Sequence, residues 1–426
     1  MKYSGIEWIG NVPDKWSLER LQWHLDEIKE SNDPVKTTQV LSLTNKLGVI
    51  PYEEKGEQGN KAKENVNEYK VAYPNTIVAN SMNILIGSVG KCDYFGCVSP
   101  VYYVFKPKKD ENIDFLNYIF QSTQFQKELR KYANGILEIR LRVSSSDILK
   151  RYIAFPSKEV QQKIVDFLNI KISEIDSLIE IENKQIEKLK EYKQAVITEA
   201  VTRGLDKKTP LKDSGVEWIG KIPEGWSIKR AKFVAEEFIK GSGITKEDVV
   251  IDGDIPCVRY GEIYTKYDNC FNESITRTNL SNVPSPTFIE KGDLLFTCTG
   301  ELVEEIGKNI LYLGEEKCLA GGDIIVMKHK QHPGFINYAM NCTRSQMQKS
   351  YGKAKLKVVH ISSLGIGNVF VCLPSYAEQK NISDYLDNFT RSINEIIFIK
   401  QQKIERLSEY KKSLIYEYVT GKKEVC

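Results

Sequence analysis

SGIEWIGNVPDKWSLER, residues 4–20, returns as SGVEWIGKIPEGWSIKR at residues 214–230, with ten of seventeen positions identical at an offset of 210. Trp8/Trp218, Pro13/Pro223, Trp16/Trp226 and Arg20/Arg230 are kept in both copies. A self-similar stretch at a fixed offset fixes architecture before any local reading does. Working outward, PSKEVQQKIVDFLNIKISEIDSLIEIENKQIEKLKEYKQAVITEAVT from Pro156 aligns without gaps onto PSYAEQKNISDYLDNFTRSINEIIFIKQQKIERLSEYKKSLIYEYVT from Pro374, at an offset of 218. The order is therefore short motif, variable block, long helix, then the same three again. The variable blocks, 24–155 and 234–373, share little beyond FLNY at 115–118 against FINY at 335–338. A repeated frame around divergent blocks is what two different readers on one scaffold would look like.

The second repeat reads as helix. Positions 165, 168, 172, 175, 179, 182, 186, 189, 193, 196 and 200 alternate by three and four, and all but Glu182 and Lys193 are apolar. The second copy keeps Leu386, Ile393, Ile397, Ile404, Leu407 and Leu414, with Lys400 and Lys411 at the matching breaks. Such a stripe with charged flanks is a coiled-coil signature, and two similar copies invite pairing with each other. Ser157 and Ser375 are candidate N-caps, Ser375 with Glu378 fits a capping box, and Gly204 and Gly421 sit where a stop belongs. About 36 residues at 1.5 Å each give roughly 54 Å of helix, longer than a small domain is wide. A pair of such helices would act as a spacer, whereas an ordinary amphipathic helix would lie on its own domain.

Length and composition set bounds. A chain of 426 residues with 41% hydrophobic and 27% charged residues is expected to form at least two folded domains. Nine cysteines without a C-x-x-C pair suit reduced thiols, and four scattered histidines, with only His329 and His332 close together, give no zinc pattern. No stretch approaches a membrane span and MKYSGIEWIG lacks a signal-peptide core, so a cytoplasmic chain is expected. Net charge is only +3, so its distribution has to decide on nucleic acid.

That distribution is uneven. Lys127 to Arg151 carries seven Lys/Arg against three Asp/Glu, and Arg344 to His360 carries five Lys/Arg and no acid. Within them Arg140 and Arg142 alternate with apolar neighbours, as do Lys353, Lys355 and Lys357, which places the charges on one face of an extended segment. Arginine reads guanine bidentately and lysine mostly neutralises phosphate, so the arginines are candidate base contacts and the lysines candidate backbone clamps. A solvated strand face is the plainer reading of either run alone. Two polar loops add candidates: Asn80 to Asn83 leading into Gly87 to Lys91, with Asn80 and Lys91 singled out, and Arg259-Tyr260-Gly261-Glu262, with Arg259 and Tyr260. Both also fit ordinary turn chemistry.

No nucleotide-binding G-x-x-x-x-G-K-[ST], no G-x-G-x-x-G fingerprint and no N/D-P-P-Y/F methyltransferase tetrapeptide occurs. A nuclease-like set can be forced from Pro13, Asp14, Glu27 and Lys29, but the second copy lacks it and Asp14 lies inside the repeated motif. No catalytic, cofactor or metal residue is assigned.

The SGxEWIGxxPxxW motif, a variable block, a P-S-x-x-x-Q helix ending in EYK, and a second round of all three resemble the specificity subunit of Type I restriction-modification systems. The resemblance implies an α+β fold of two target recognition domains separated by two long antiparallel coiled-coil helices, a pseudo-two-fold tandem duplication. Expected boundaries are 1–155 for the first motif and recognition domain, 156–204 for the central helix, 205–213 for a linker, 214–373 for the second motif and domain, and 374–421 for the last helix. Each domain would read one half of a bipartite double-stranded DNA target. The helices would set the spacer and dock two methyltransferase subunits, to which restriction subunits add. The chain itself would be non-catalytic, with methyl donor, ATP and magnesium belonging to the partners. A coiled-coil adaptor joining two domains that do not bind DNA is the competing reading. The four motif tryptophans read as core anchors.

Overall fold

The computed structural model describes residues 1–44, 48–56, 65–135, 141–354 and 358–425. Its architecture is α+β, and the chain divides into two compact units, Met1–Asn183 with Gln401–Cys426, and Lys184–Lys400. Both divisions fall inside the long helices, Lys158–Arg203 and Tyr376–Val419, which are longer than the 36 residues of apolar stripe indicate. Each unit is thus assembled from the same parts: one motif, one variable block, the N-terminal part of the helix that follows, and the C-terminal part of the other helix.

The motif folds identically in both. Ser4 N donates to Gly10 O (3.0 Å) and Ile6 N to Ser4 Oγ (3.1 Å), and the same two bonds join Ser214 to Gly220 and Val216 to Ser214. Lys2 Nζ reaches Asp14 O (3.0 Å) and Lys212 Nζ reaches Glu224 O (2.6 Å). The final arginine stacks on an aromatic: Arg20 lies 4.9 Å from the Tyr152 ring and Arg230 5.0 Å from the Phe370 ring. Those aromatics sit on the strand that leaves the variable block. Ser17–Arg20 pairs antiparallel with Tyr152–Phe155, and Ser227–Arg230 with Phe370–Leu373, so a two-stranded clasp closes each block at its neck.

Inside the clasps two unrelated sequences build the same sheet. In the first unit β1 (Leu25–Ile28), β2 (Thr76–Asn80), β3 (Val89–Cys92) and β4 (Tyr102–Pro107) pair antiparallel in the order β1-β4-β2-β3. In the second, β5 (Ala235–Lys240), β6 (Leu294–Thr297), β7 (Asn309–Tyr312) and β8 (Ile324–His329) repeat it as β5-β8-β6-β7, with Cys270–Phe271 added parallel to β7. The second unit also carries a further five-stranded sheet, built from Val249–Val250, Ile255–Val258, Thr276–Thr278, Phe288–Ile289 and Cys318–Ala320.

The helices are part of these cores as well as partners of each other. In the first unit Ile164, Val165, Leu168 and Ile175 join Leu414, Ile415, Tyr418 and Val419 in one cluster with Trp8, Trp16, Phe115 and Leu116. In the second, Ile197, Ala200 and Val201 join Ile382 and Leu386 in a cluster with Trp226, Phe335 and Ile336. The core role expected of the tryptophans holds for Trp8, Trp16 and Trp226, while Trp218 is half-buried against Tyr351, ring centroids 5.0 Å apart.

The glutamine of the P-S-x-x-x-Q motif has a clear task. Gln161 Nε2 donates back to Pro156 O (2.9 Å) and Gln379 Nε2 to Pro374 O (3.1 Å), closing the first turn of each helix. Ser375 Oγ accepts from Glu378 N (3.3 Å), but Glu378 does not complete a capping box; its Oε1 takes the Trp226 indole N–H (3.1 Å) instead. Gly204 and Gly421 end the helices in the left-handed region, φ 74° and 69°, and each lies against the motif of its own unit. A Cβ on Gly421 would meet Pro13 Cδ at 2.5 Å and Trp16 at 3.1 Å; one on Gly204 would meet Trp226 at 3.3 Å.

Within each unit the helices run antiparallel, and each polar break in the apolar stripe meets a polar residue on the flank of the other helix. In the first unit Glu182 Oε1 accepts from Lys403 Nζ (2.6 Å) and Asp176 from Lys411 Nζ (2.7 Å). In the second, Lys400 reaches Gln185, and Lys193 Nζ donates to Asn394 Oδ1 (2.9 Å). These are the same pairs shifted by the 218-residue repeat.

Candidate nucleic-acid interface

At one end of each sheet, two segments that are far apart in sequence come together. In the first unit Val143 N donates to Ser81 O (3.4 Å), laying the end of the basic run beside the loop that follows β2. Arg142 is exposed, held by backbone bonds to Asn134 (2.8 and 2.9 Å), with its guanidinium 3.6 Å from Met82 Sδ. In the second unit Ile361 N donates to Cys298 O (2.9 Å), and Val359–His360 pairs with Thr299–Gly300, the loop that follows β6. His360 Nδ1 lies 3.1 Å from Thr299 Oγ1, and Lys353 Nζ donates to His360 O (2.5 Å). The same edge thus recurs in both units on different side chains: Arg142, Met82 and exposed Asn83 in one, and His360, Thr299 and Lys353 in the other.

Other candidates are placed differently. Arg140, Lys355 and Lys357 lie outside the described residues. Asn80 is buried, and its Oδ1 accepts from Met82 N (3.0 Å), so its amide shapes the turn instead of facing outward. Lys91 is neutralised between Asp114 (3.0 Å) and Asp93 (3.5 Å). Arg259 closes on the buried Glu262 carboxylate through Nε (3.0 Å) and NH2 (2.8 Å), leaving no free cation. Tyr260 is exposed on the short helix Tyr260–Thr265, and that helix reaches the second edge through Tyr264, whose hydroxyl lies 2.7 Å from Thr297 Oγ1 and donates to Thr299 O (3.3 Å).

The basic runs are not single strand faces. Lys127 and Arg130 lie on the helix Thr123–Arg130, and Arg344 and Lys349 on Thr343–Ser350. Lys349 points into the core, where its amine donates to Gly307 O (2.6 Å) and Met340 O (2.9 Å), so it adds nothing to a surface potential. Burial pushes this amine down to about 7 from its usual 10.5. Between those values the unfolded chain binds a proton that the folded chain does not, so stability rises with pH through that window; the penalty is complete below pH 7. Lys349→Met removes the dependence. In thermal unfolding the variant's advantage over the wild type is expected to shrink steadily from pH 7 to 10; a constant difference contradicts it.

His360 and Thr299 were not legible as site residues because neither stands out in sequence. The available signal was SSSDIL at 144–149 against SSLGIG at 362–367, which places Val143 and Ile361 at matching points. Ser144 and Ser362 cap the corresponding short helices, their hydroxyls accepting from Asp147 N (3.1 Å) and Gly365 N (3.3 Å).

Among the described residues no group of three His, Cys, Asp or Glu could hold a metal ion, and no helix is long and apolar enough to cross a membrane.

Residues 24–191 match the family model described as the Type I restriction modification DNA specificity domain. A putative type I restriction enzyme MjaX specificity subunit from Methanocaldococcus jannaschii is 23% identical over 448 residues, covering 97% of this chain and 95% of the relative. The MjaVIII specificity subunit of the same organism is 24% identical over 277 residues, 63% of this chain and 61% of its own. Among solved structures, a chain from a study of complex assembly and conformational transition of the type I R-M system superposes with a TM-score of 0.71 at 13% identity, over 96% of this chain and 98% of that one. The HsdS subunit from Thermoanaerobacter tengcongensis gives 0.52 at 13% identity over 99% and 100%.

Proposed function

We propose, for a chain that belongs to the specificity subunits of Type I restriction-modification systems, that it is the DNA-reading subunit of such a complex and that each unit reads one half of a bipartite target. The observation that carries this reading is the recurrence of one edge, loop plus basic segment, on different side chains in the two units. A shared frame delivers the same docking geometry, and Arg142 with Asn83 against His360 with Thr299 would give the halves different base preferences. The chain performs no chemistry; methyl transfer and ATP-dependent cleavage belong to its partners, which also supply methyl donor, ATP and magnesium.

The helix pair is assigned two tasks, to set the gap between half-sites and to dock two methyltransferase subunits, to which restriction subunits add. Support comes from side chains left in solvent at repeat-related places: Leu178, Ile181 and Tyr410 in the first unit, and Ile396, Ile399 and Tyr192 in the second. Each pair is related by the 218-residue offset, as two copies of one partner require. An adaptor of two domains that do not touch DNA leaves the recurrent edge without a purpose.

The test is selection of bound sequences from a random DNA library by the chain assembled with its methyltransferase. A split motif is expected. Arg142→Ala should lower discrimination in one half of it by roughly 10-fold, as loss of about 1–3 kcal/mol of base contact implies, and His360→Ala should act on the other half alone. Library enrichment without a split motif contradicts the reading.

A further inference from the structure

A tyrosine hydroxyl braces the recurrent edge in each unit, and the two tyrosines come from unrelated places in the fold. In the first unit Tyr103 is carried on β4, and its hydroxyl donates to Val143 O (3.1 Å). Val143 N is the group that donates to Ser81 O (3.4 Å), so both polar backbone atoms of the residue after Arg142 are tethered. In the second unit the Tyr264 hydroxyl lies 2.7 Å from Thr297 Oγ1 at the end of β6 and donates to Thr299 O (3.3 Å). Thr299 is the residue whose strand partner is His360. Both phenols are half-buried, and burial holds them above their ordinary pKa, so each keeps its proton at neutral pH.

Sheet register shows why the source differs. Tyr103 lies opposite Ala79, one residue before the end of β2, and Ile325 lies opposite Phe296, one residue before the end of β6. Ile325 therefore occupies the place of Tyr103, and it has no donor to offer. The second unit supplies its hydroxyl from the helix Tyr260–Thr265, which follows the strand Ile255–Val258 of the additional sheet. The seat is close: a Cβ on Gly300, beside Thr299, would stand 2.8 Å from the Tyr264 hydroxyl oxygen and 3.6 Å from its next neighbours. The same task met from two different elements marks a need of the edge, since the repeated frame supplies neither tyrosine. A side chain discriminates between bases only when its backbone is held to within about 0.5 Å, and a directional bond to a backbone carbonyl does that where ring packing leaves the segment free to slide.

We infer that Tyr103 and Tyr264 are positioning residues for base discrimination, the first acting through Arg142 and the second through Thr299 and His360. The inference rests on the functional reading above and deepens it.

Selection from a random DNA library by the chain assembled with its methyltransferase reads this out. Tyr103→Phe should lower discrimination about 5-fold, the worth of one hydrogen bond, in the half that Arg142→Ala relaxes, and Tyr264→Phe should do so in the half that His360→Ala relaxes. Affinity for DNA without the motif should stay at the wild-type value in both. Gly300→Ala should relax the same half as Tyr264→Phe, because its Cβ displaces the hydroxyl. The double variant should be no worse than Tyr264→Phe alone, because phenylalanine leaves that space open. Unchanged base preference in both tyrosine variants overturns the inference, as does equal relaxation of both halves by either one. A variant that loses affinity for all DNA alike, or a double variant with additive losses, shows a structural role only and also overturns it. A split motif that Arg142→Ala relaxes and Tyr103→Phe does not leaves the functional reading standing and removes the brace. A wild-type assembly that selects no split motif overturns the functional reading itself.

Discussion

Lys403→Glu is expected to destabilise the first unit by about 3 kcal/mol, the order seen when one member of a buried ion pair is removed. Glu182 is buried in the apolar stripe, and its carboxylate is met by Lys403 Nζ at 2.6 Å. Reversal puts two carboxylates face to face, one of them shielded from water. Lys403 is itself about half-exposed, which holds the effect near the lower end of the range for wholly buried pairs. The exchange Glu182→Lys with Lys403→Glu should recover more than half of the loss, since the pair is restored with its sense reversed. Chemical denaturation of the three proteins checks this, and additive losses in the double variant contradict it. A polar pair at a break in an apolar seam penalises registers that do not align it, so the two pairs of each unit favour one register of that unit's helix segments.

Gly421→Ala should cost about 3 kcal/mol, combining roughly 1–2 kcal/mol for a left-handed residue with a Cβ and at least 1 kcal/mol for overpacking. Its φ is 69°, and the added carbon would stand 2.5 Å from Pro13 Cδ and 3.1 Å from Trp16. Gly215→Ala is the control: φ is 72° but nothing lies within 4 Å, so only the backbone term of about 1 kcal/mol remains. Equal losses in the two variants would mean that the helix end does not dock on the motif. The pairing of Gly421 with Trp16, and of Gly204 with Trp226, explains why a short motif and a distant helix end are duplicated together. Each motif is the seat for the end of the other repeat's helix.

The frame was legible because its tasks are local and demand particular residues. The Ser4 turn, the Gln161 closure onto Pro156 and the glycine stops each follow from chemistry that few side chains can replace. The common sheet inside the variable blocks was not legible. Strands such as Thr76–Asn80 and Leu294–Thr297 are buried throughout, and any apolar run fills such a place, so identity can drift while order and register stay. The charge argument drew attention to segments that meet the β2 and β6 loops, but it could not see how individual charges are partnered. It counted Lys349, which lies in the core, and the two polar-loop candidates Lys91 and Arg259 are closed on carboxylates. Sequence shows where charge is, whereas its partners are supplied by residues such as Asp114 that pattern alone does not connect. Arg142 is exposed and immediately precedes Val143, whose N–H bonds to Ser81 of the β2 loop.

Methylome sequencing of a host carrying the cognate methyltransferase, with and without this chain, tests the central claim most directly. The account predicts that the chain adds methylated adenines at a split sequence of two defined halves and a constant gap, and that Arg142→Ala relaxes one half while leaving the other half and the gap unchanged. An unchanged methylome with the methyltransferase expressed and active, or a single uninterrupted motif, would contradict it.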